Sequence, residues 1–263
     1  MPKRNLSLLV IFCLIGSIVF VGCSDKIVSN DITKPSPGPD HVSDESQSTI
    51  PLTFKPVEED EKKLEMLDND GVGEIVKEVK LDNATVFIFK KPSDDFVLYG
   101  GVKVNGTLYE IDIVGYGDFD IQVKNTFLFN KPLIYIQGIH GATCPVTYYI
   151  YFKDNTPYIL LYLERFVVEM DLDGDGEEEA IAKTGGLTEI YKLDKNMLIY
   201  SSLNKILNAD YVFYPNEGSE EKDLTFCAFT PSTYERRIYK LTKEGFKMES
   251  VSFLKENIQD EIN

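Results

Sequence analysis

Residues 166–182 read FVVEMDLDGDGEEEAIA. Aspartates stand at 171, 173 and 175, glycines at 174 and 176, and glutamates at 177, 178 and 179. Carboxylates are hard oxygen donors, and a calcium ion takes six to eight oxygens at roughly 2.3–2.6 Å. Acids at alternate positions, with glycines that let the backbone curl, can aim several carboxylates at one point. Six acids within nine residues also repel one another unless a cation or bound protons offset the charge. No histidine lies nearby, and nothing suggests a transition-metal ligand set. The alternative is a solvated acidic turn that binds nothing. A cation held by one continuous loop pins that loop and its neighbouring strands, which is an architectural role rather than a catalytic one.

A helix–loop–helix calcium site is a poor match. Its 12-residue loop ends in a bidentate glutamate between two helices, whereas the twelfth residue from Asp171 is Ala182. The flanks RFVVEM and EAIAKT are β-branched and lack a helical period. Elsewhere the chemistry is thin. His140 and Cys144 in IHGATC invite a Cys–His nucleophile reading. Such pairs are spatial rather than sequential, however, and no orienting Asn or Asp is identifiable. A polar or ligand-facing turn is the better reading. His41 falls in a polar stretch. The acid pairs Asp94-Asp95, Glu58-Glu59 and Glu220-Glu221 read as solvated turns. No nucleophile elbow, phosphate loop or dinucleotide fingerprint is present.

The elements that would position the acidic loop are strands. Tyr and Phe number 15 and 16 and Trp is absent, a composition that favours strands. One hairpin pattern recurs four times: TVFIFKKPSDDFVLYG from Thr85, TYYIYFKDNTPYILLYL from Thr147, LTEIYKLDKNMLIYSS from Leu187 and ERRIYKLTKEGFKMES from Glu235. Each is two β-rich runs parted by a polar turn. KVNGTLYEI adds a fifth, with Asn105-Gly106 at its tip. Tyr148, Tyr149, Tyr151, Tyr158 and Tyr162 alternate between hairpin faces. Most should pack in the core, and some should form an exposed aromatic strip. EEDEKKLEM, residues 58–66, reads as a short helix leading into the domain. The acidic loop has degenerate copies. DIVGYGDFDI at Asp112 keeps the glycine spacing, with Val114 and Tyr116 replacing acids. DNDGVGEIV at Asp68 keeps Asp68, Asp70 and both glycines.

Acidic glycine loop, inner strand, then outer hairpin: this order resembles the FG-GAP or VCBS-type repeat of integrin-like β-propellers, over roughly residues 65–250. The resemblance implies an all-β, propeller-like array of about four antiparallel repeat units. Complete rings in the family usually have more blades, so the array is expected to be incomplete or atypical. It also implies calcium bound by Asp171, Asp173 and Asp175, by the backbone carbonyl of Glu177, and by Glu179 at the ninth position. Glutamate there replaces the common aspartate and lengthens one arm by a methylene. The degenerate loops are expected to lack metal, with Tyr116 packed where an acid would bind, although Asp68 and Asp70 could form a weak site.

The N-terminus speaks to location. MPKRN is basic, and LSLLVIFCLIGSIVFV is 16 residues without a charge, short for a spanning helix of ~20. FVGC follows, ending at Cys23. This arrangement reads as a secretory signal over residues 1–22. FVGC resembles the bacterial lipobox, with Phe20 where leucine is usual. Cys23 is then lipidated and becomes the new N-terminus. An uncleaved anchor is the alternative, and both place the chain outside the cytoplasmic membrane. Residues 23–60, rich in Ser, Asp and Pro, read as a disordered tether. An all-β domain over 61–263 follows, long enough for one substantial core. Cys144 and Cys227 are left, read as two free, buried thiols rather than a disulfide. The formal charge is −16, and −18 once Lys3 and Arg4 are removed with the signal. So acidic a surface repels nucleic acid and anionic lipid heads. The expected function is binding or scaffolding at the cell surface, toward a glycan or protein ligand, with calcium as a brace. The competing expectation is a cell-wall or polysaccharide hydrolase with its site at the centre of the β domain.

Overall fold

The computed structural model describes residues 49–58, 61–117, 119–141, 144–214 and 224–254. The signal, Cys23 and most of the tether lie outside these residues. Four antiparallel meanders follow one another along the chain. The first holds β4 (Ile75–Lys80), β5 (Thr85–Phe89), β6 (Val97–Val104) and β7 (Thr107–Tyr116). The second holds β8 (Gln122–Leu128), β9 (Lys131–His140), β10 (Cys144–Lys153) and β11 (Thr156–Leu163). The third holds β12 (Phe166–Met170), β13 (Glu179–Thr184), β14 (Leu187–Asp194) and β15 (Met197–Ser202). After a one-turn helix α1 (Leu203–Ile206), the fourth holds β16 (Tyr211–Phe213), β17 (Thr225–Thr230), β18 (Glu235–Thr242) and β19 (Gly245–Phe253). The protein is all-β, a propeller-like array of four antiparallel units, none of them closed into a barrel.

All five expected hairpins form, and their tips explain why. Two-residue turns between right-twisted strands need positive φ at both positions. Asn105-Gly106, Asp154-Asn155 and Lys195-Asn196 supply it, with asparagine or glycine in each pair. A further tip, Phe129-Asn130 between β8 and β9, uses the same geometry. Its φ values of 57° and 55° are carried by a bulky aromatic, so composition did not mark it.

Side chains alternate across a strand, and in the middle sheets both sets are buried. Ile134 and Ile136 of β9 enter a cluster shared with the first sheet, while Leu133 and Tyr135 enter one shared with the third. In β13, Ile181 faces the fourth sheet, whereas Ala180 and Ala182 face the second. Two buried faces account for near-continuous apolar runs such as PYILLYL. Three clusters therefore join sheets one to two, two to three and three to four. Among the described residues, none of them joins the fourth sheet to the first.

Residues 50–58 and 61–66 form neither a tether nor a helix. Ile50 bridges Phe246 of β19. Strand β1 (Lys55–Pro56) then pairs with β15, β2 (Lys62–Lys63) with β11, and β3 (Glu65–Met66) with β7. The segment thus visits the last strand of each sheet in reverse order, adding a short edge strand to the third, second and first and a single bridge to the fourth. Leu64 is 2% exposed in the first cluster, and Ile50, Leu52 and Phe54 pack on the third. Its backbone groups find partners in distant strands, which outweighs the helical bias of EEDEKKLEM. Among the described residues, pairing with the sheets already occurs at Ile50, Lys55 and Pro56, within the stretch expected as tether.

Candidate functional site

The acidic loop spans residues 171–178 and closes the β12–β13 hairpin, whose last pair is Met170 with Glu179. Leu172, 6% exposed, points inward and anchors it. The carboxylates point outward. Asp171 accepts the amides of Gly174 at 2.7 Å and Gly176 at 3.0 Å. Asp173 accepts that of Asp175 at 3.2 Å, and Asp175 that of Glu177 at 2.7 Å. Gly174 and Gly176 sit at φ 75° and 90°, the left-handed region that glycine enters freely. The outcome is one carboxylate oxygen each from Asp171, Asp173 and Asp175 within 4.8 Å of one another. This donor set of hard oxygens fits a divalent cation. The Lys192 ammonium, 3.9 Å from Asp173, offsets part of the repulsion.

The side chains of the other two expected ligand residues, Glu177 (expected through its carbonyl) and Glu179, have partners of their own. Glu177 is exposed and its carboxylate accepts from the Asn130 amide at 3.3 Å. Glu179 is 4% exposed and accepts the Leu172 amide at 2.8 Å, tying the end of the loop to its start. Burial pushes its carboxyl up to about 7; the Leu172 amide opposes this, and the Asp173 and Asp175 charges add to it. A carboxyl raised by folding binds its proton more tightly folded than unfolded. In chelator, its contribution to stability is therefore present below the ordinary value of 4.5 and lost as pH rises through about 7. The difference in unfolding midpoint between wild type and Glu179→Gln should shift in favour of the variant across that window. A difference that is flat, or of opposite sign, would refute the burial account.

The loop also touches its neighbours. The Phe129 amide donates to the Glu178 carbonyl at 3.2 Å, so the β8–β9 tip of the second sheet sits on it. Beside it on β12, Glu169 accepts from Thr126 at 2.6 Å, Tyr149 at 3.1 Å and Lys124 at 3.2 Å, all from the second sheet. Pinning the loop thus pins two sheets.

The degenerate copies are not loops of the same kind. Asp112 to Tyr116 is strand, the end of β7, with Val114 fully buried. The glycine spacing there mimics the motif, but ladder pairing and the burial of Val114, just before the first glycine, govern the conformation. Tyr116 stacks on Phe96 and meets His140 edge-on. Asn69–Gly71, containing Asp70, is a single 3-10 turn. Among the described residues, the only such acidic group is that of Asp171, Asp173 and Asp175.

A second feature lies where β7, β11, β15 and the N-terminal segment meet: a cleft of about 720 Å³. Asp112, His140 and Tyr148 line it from the first two sheets, Tyr162 from β11 and Glu164 from the turn after it, and Glu189, Tyr191 and Tyr200 from the third sheet. The His140 Nε2 lies 3.1 Å from the Ile113 carbonyl, which also accepts the Tyr148 hydroxyl at 2.8 Å. Asp112 sits at φ 155° beside bulges in the β6–β7 ladder, a device that re-aims side chains. Burial drives the Tyr148 and Tyr191 hydroxyls far above the ordinary phenol value. His140 and Cys144 are cross-strand partners. Cys144 is exposed and Cys227 buried, and neither is in a disulfide. The exposure of Cys144 departs from the expectation and follows from its place at the rim, where β10 begins. Glu164, Glu189, Tyr191 and Tyr200 carry no local pattern in the sequence, because only the topology brings them together.

Fold and site together define an all-β array with an acidic cation-type loop and a separate cleft. Comparison with protein families, with characterised proteins and with solved structures finds no match.

Proposed function

We propose that this chain is a binding module displayed at the extracytoplasmic face of a bacterial membrane through a lipid on Cys23. In this reading the Asp171 loop holds calcium as a brace, and the cleft takes the ligand. The observation that carries it is the cleft: three sheets and the N-terminal segment converge on a space of about 720 Å³ lined by aromatic and carboxylate side chains, the usual character of a ligand site. The FG-GAP-type reading of the repeat is part of the proposal. What supports it is the loop's place between the first and second strands of a four-stranded antiparallel unit.

Calcium is tested by calorimetry on the full-length chain, with thermal unfolding in calcium and in chelator. Extracellular calcium modules bind at about 10⁻⁴–10⁻³ M. At about ten times Kd the gain is ~1.4 kcal/mol, a rise of roughly 3–5 °C for a domain of this size. Binding should be one-to-one and absent in Asp173→Ala. No heat and an unchanged midpoint would remove calcium from the proposal.

A second reading, hydrolysis of cell-wall or polysaccharide material, draws on the same cleft, because Asp112, Glu164 and Glu189 line it. Incubation with insoluble peptidoglycan separates the two. Retention of the protein with no release of soluble fragments is the expected result. Release that is lost in Glu164→Gln would favour hydrolysis.

A further inference from the structure

The charge of the cleft narrows its ligand. Four carboxylates line it, from Glu58, Asp112, Glu164 and Glu189, against one ammonium, Lys62, and His140. Asp112 lies 3.8 Å from Lys62, and Glu189 3.4 Å from Arg165. Among the described residues, neither Glu58 nor Glu164 has an ion-pair partner. Between these acids stand two tyrosine pairs: Tyr148 with Tyr162 at 4.9 Å and Tyr191 with Tyr200 at 5.6 Å. One of these rings already attracts a cation, since the Lys55 ammonium sits 4.5 Å over Tyr200. An anion would be repelled here. A purely apolar ligand would strip water from carboxylates and give nothing back. An ammonium group satisfies both features, because a walled cleft focuses the field of its acids and aromatic faces attract cations.

We propose that this cleft binds a compact organic cation, an amine-bearing small molecule of the polyamine or amino-sugar kind. This rests on the reading of the cleft as the ligand site. The probes are spermidine, glucosamine and N-acetylglucosamine, titrated calorimetrically into the full-length chain in calcium buffer. N-acetylglucosamine keeps the sugar ring and removes the charge. At least one amine should bind, with the neutral sugar about tenfold weaker or worse, a difference of ~1.4 kcal/mol. Whichever amine binds tells polyamine from amino sugar. Glu164→Gln and Tyr162→Ala should each weaken binding about tenfold, their unfolding midpoints serving as the check on folding. Asp173→Ala should leave amine binding intact. Equal binding of glucosamine and its N-acetyl form overturns the cation but leaves a sugar-binding cleft. Loss of binding in Asp173→Ala overturns it by placing the amine on the acidic loop. No binding by any probe overturns it as well, and peptidoglycan retention then judges the wider binding reading separately.

Discussion

Gly138→Ala should unfold this protein or cost it about 3 kcal/mol or more, at the upper end of what overpacking does. A methyl at position 138 would stand 1.8 Å from the carbonyl oxygen of Val114 and 3.0 Å from its carbon. Both atoms are backbone, so no rotamer change relieves the clash. Gly138 lies on β9 and Val114 on β7, so the substitution forces the first two sheets apart. Their shared cluster contains Val114, Ile136 and Val146, all fully buried. Separating them opens voids that cost further. Gly106→Ala is the comparison. Unlike Gly138 it sits at positive φ, 87°, but its methyl would meet nothing within 4 Å. It should cost only the left-handed penalty, roughly 1–2 kcal/mol. The measurement is the urea unfolding midpoint of both variants. Equal shifts would mean that the β7–β9 approach does not govern stability.

The same crossing shows what the sequence could and could not tell. Hairpin tips were legible because the requirement for positive φ is local and glycine or asparagine meets it. Phe129-Asn130 adopts the same turn without that signal at its first position, and it was missed. The acidic loop was legible because its donors lie within nine consecutive residues. Its relation to the second sheet was not, since the Phe129 amide that meets Glu178 lies 49 residues earlier in the chain. Asp112 shows how spacing misleads: the stretch from Asp112 to Tyr116 is strand, because ladder pairing and the burial of Val114 hold it there, and only Gly117 lies past the strand end. The cleft left no trace in the sequence. Its acids come one at a time from β7, the turn after β11, β14 and the N-terminal segment, each beside residues typical of any strand end.

A chain starting at Leu67 should fail to accumulate as a soluble monomer, although it keeps all four meanders. Ile50, Lys55–Pro56, Lys62–Lys63 and Glu65–Met66 pair in turn with the last strand of each sheet. Removing them strands the carbonyls of Phe246, Leu198 and Pro157, which accept from the amides of Ile50, Val57 and Leu64. It also bares the last strands, and exposed edges are templates for aggregation. Leu64 is fully buried, and Ile50, Leu52, Phe54 and Val57 are partly so. Their burial is worth roughly 5–8 kcal/mol, as much as the whole net stability of many domains, ~5–15 kcal/mol. Two point variants resolve the segment into parts. Leu64→Ala removes its deepest side chain and should cost about 2–4 kcal/mol. Gly245→Ala attacks the other end, where the new methyl would lie 2.3 Å from the Ile50 carbonyl oxygen at φ 125°. If the segment acts as one clasp, Gly245→Ala should speed hydrogen exchange at the Val57 and Leu64 amides as well as at Ile50. Exchange confined to Ile50, or a soluble and equally stable chain from Leu67, would show instead that the four meanders hold together by their three buried clusters alone.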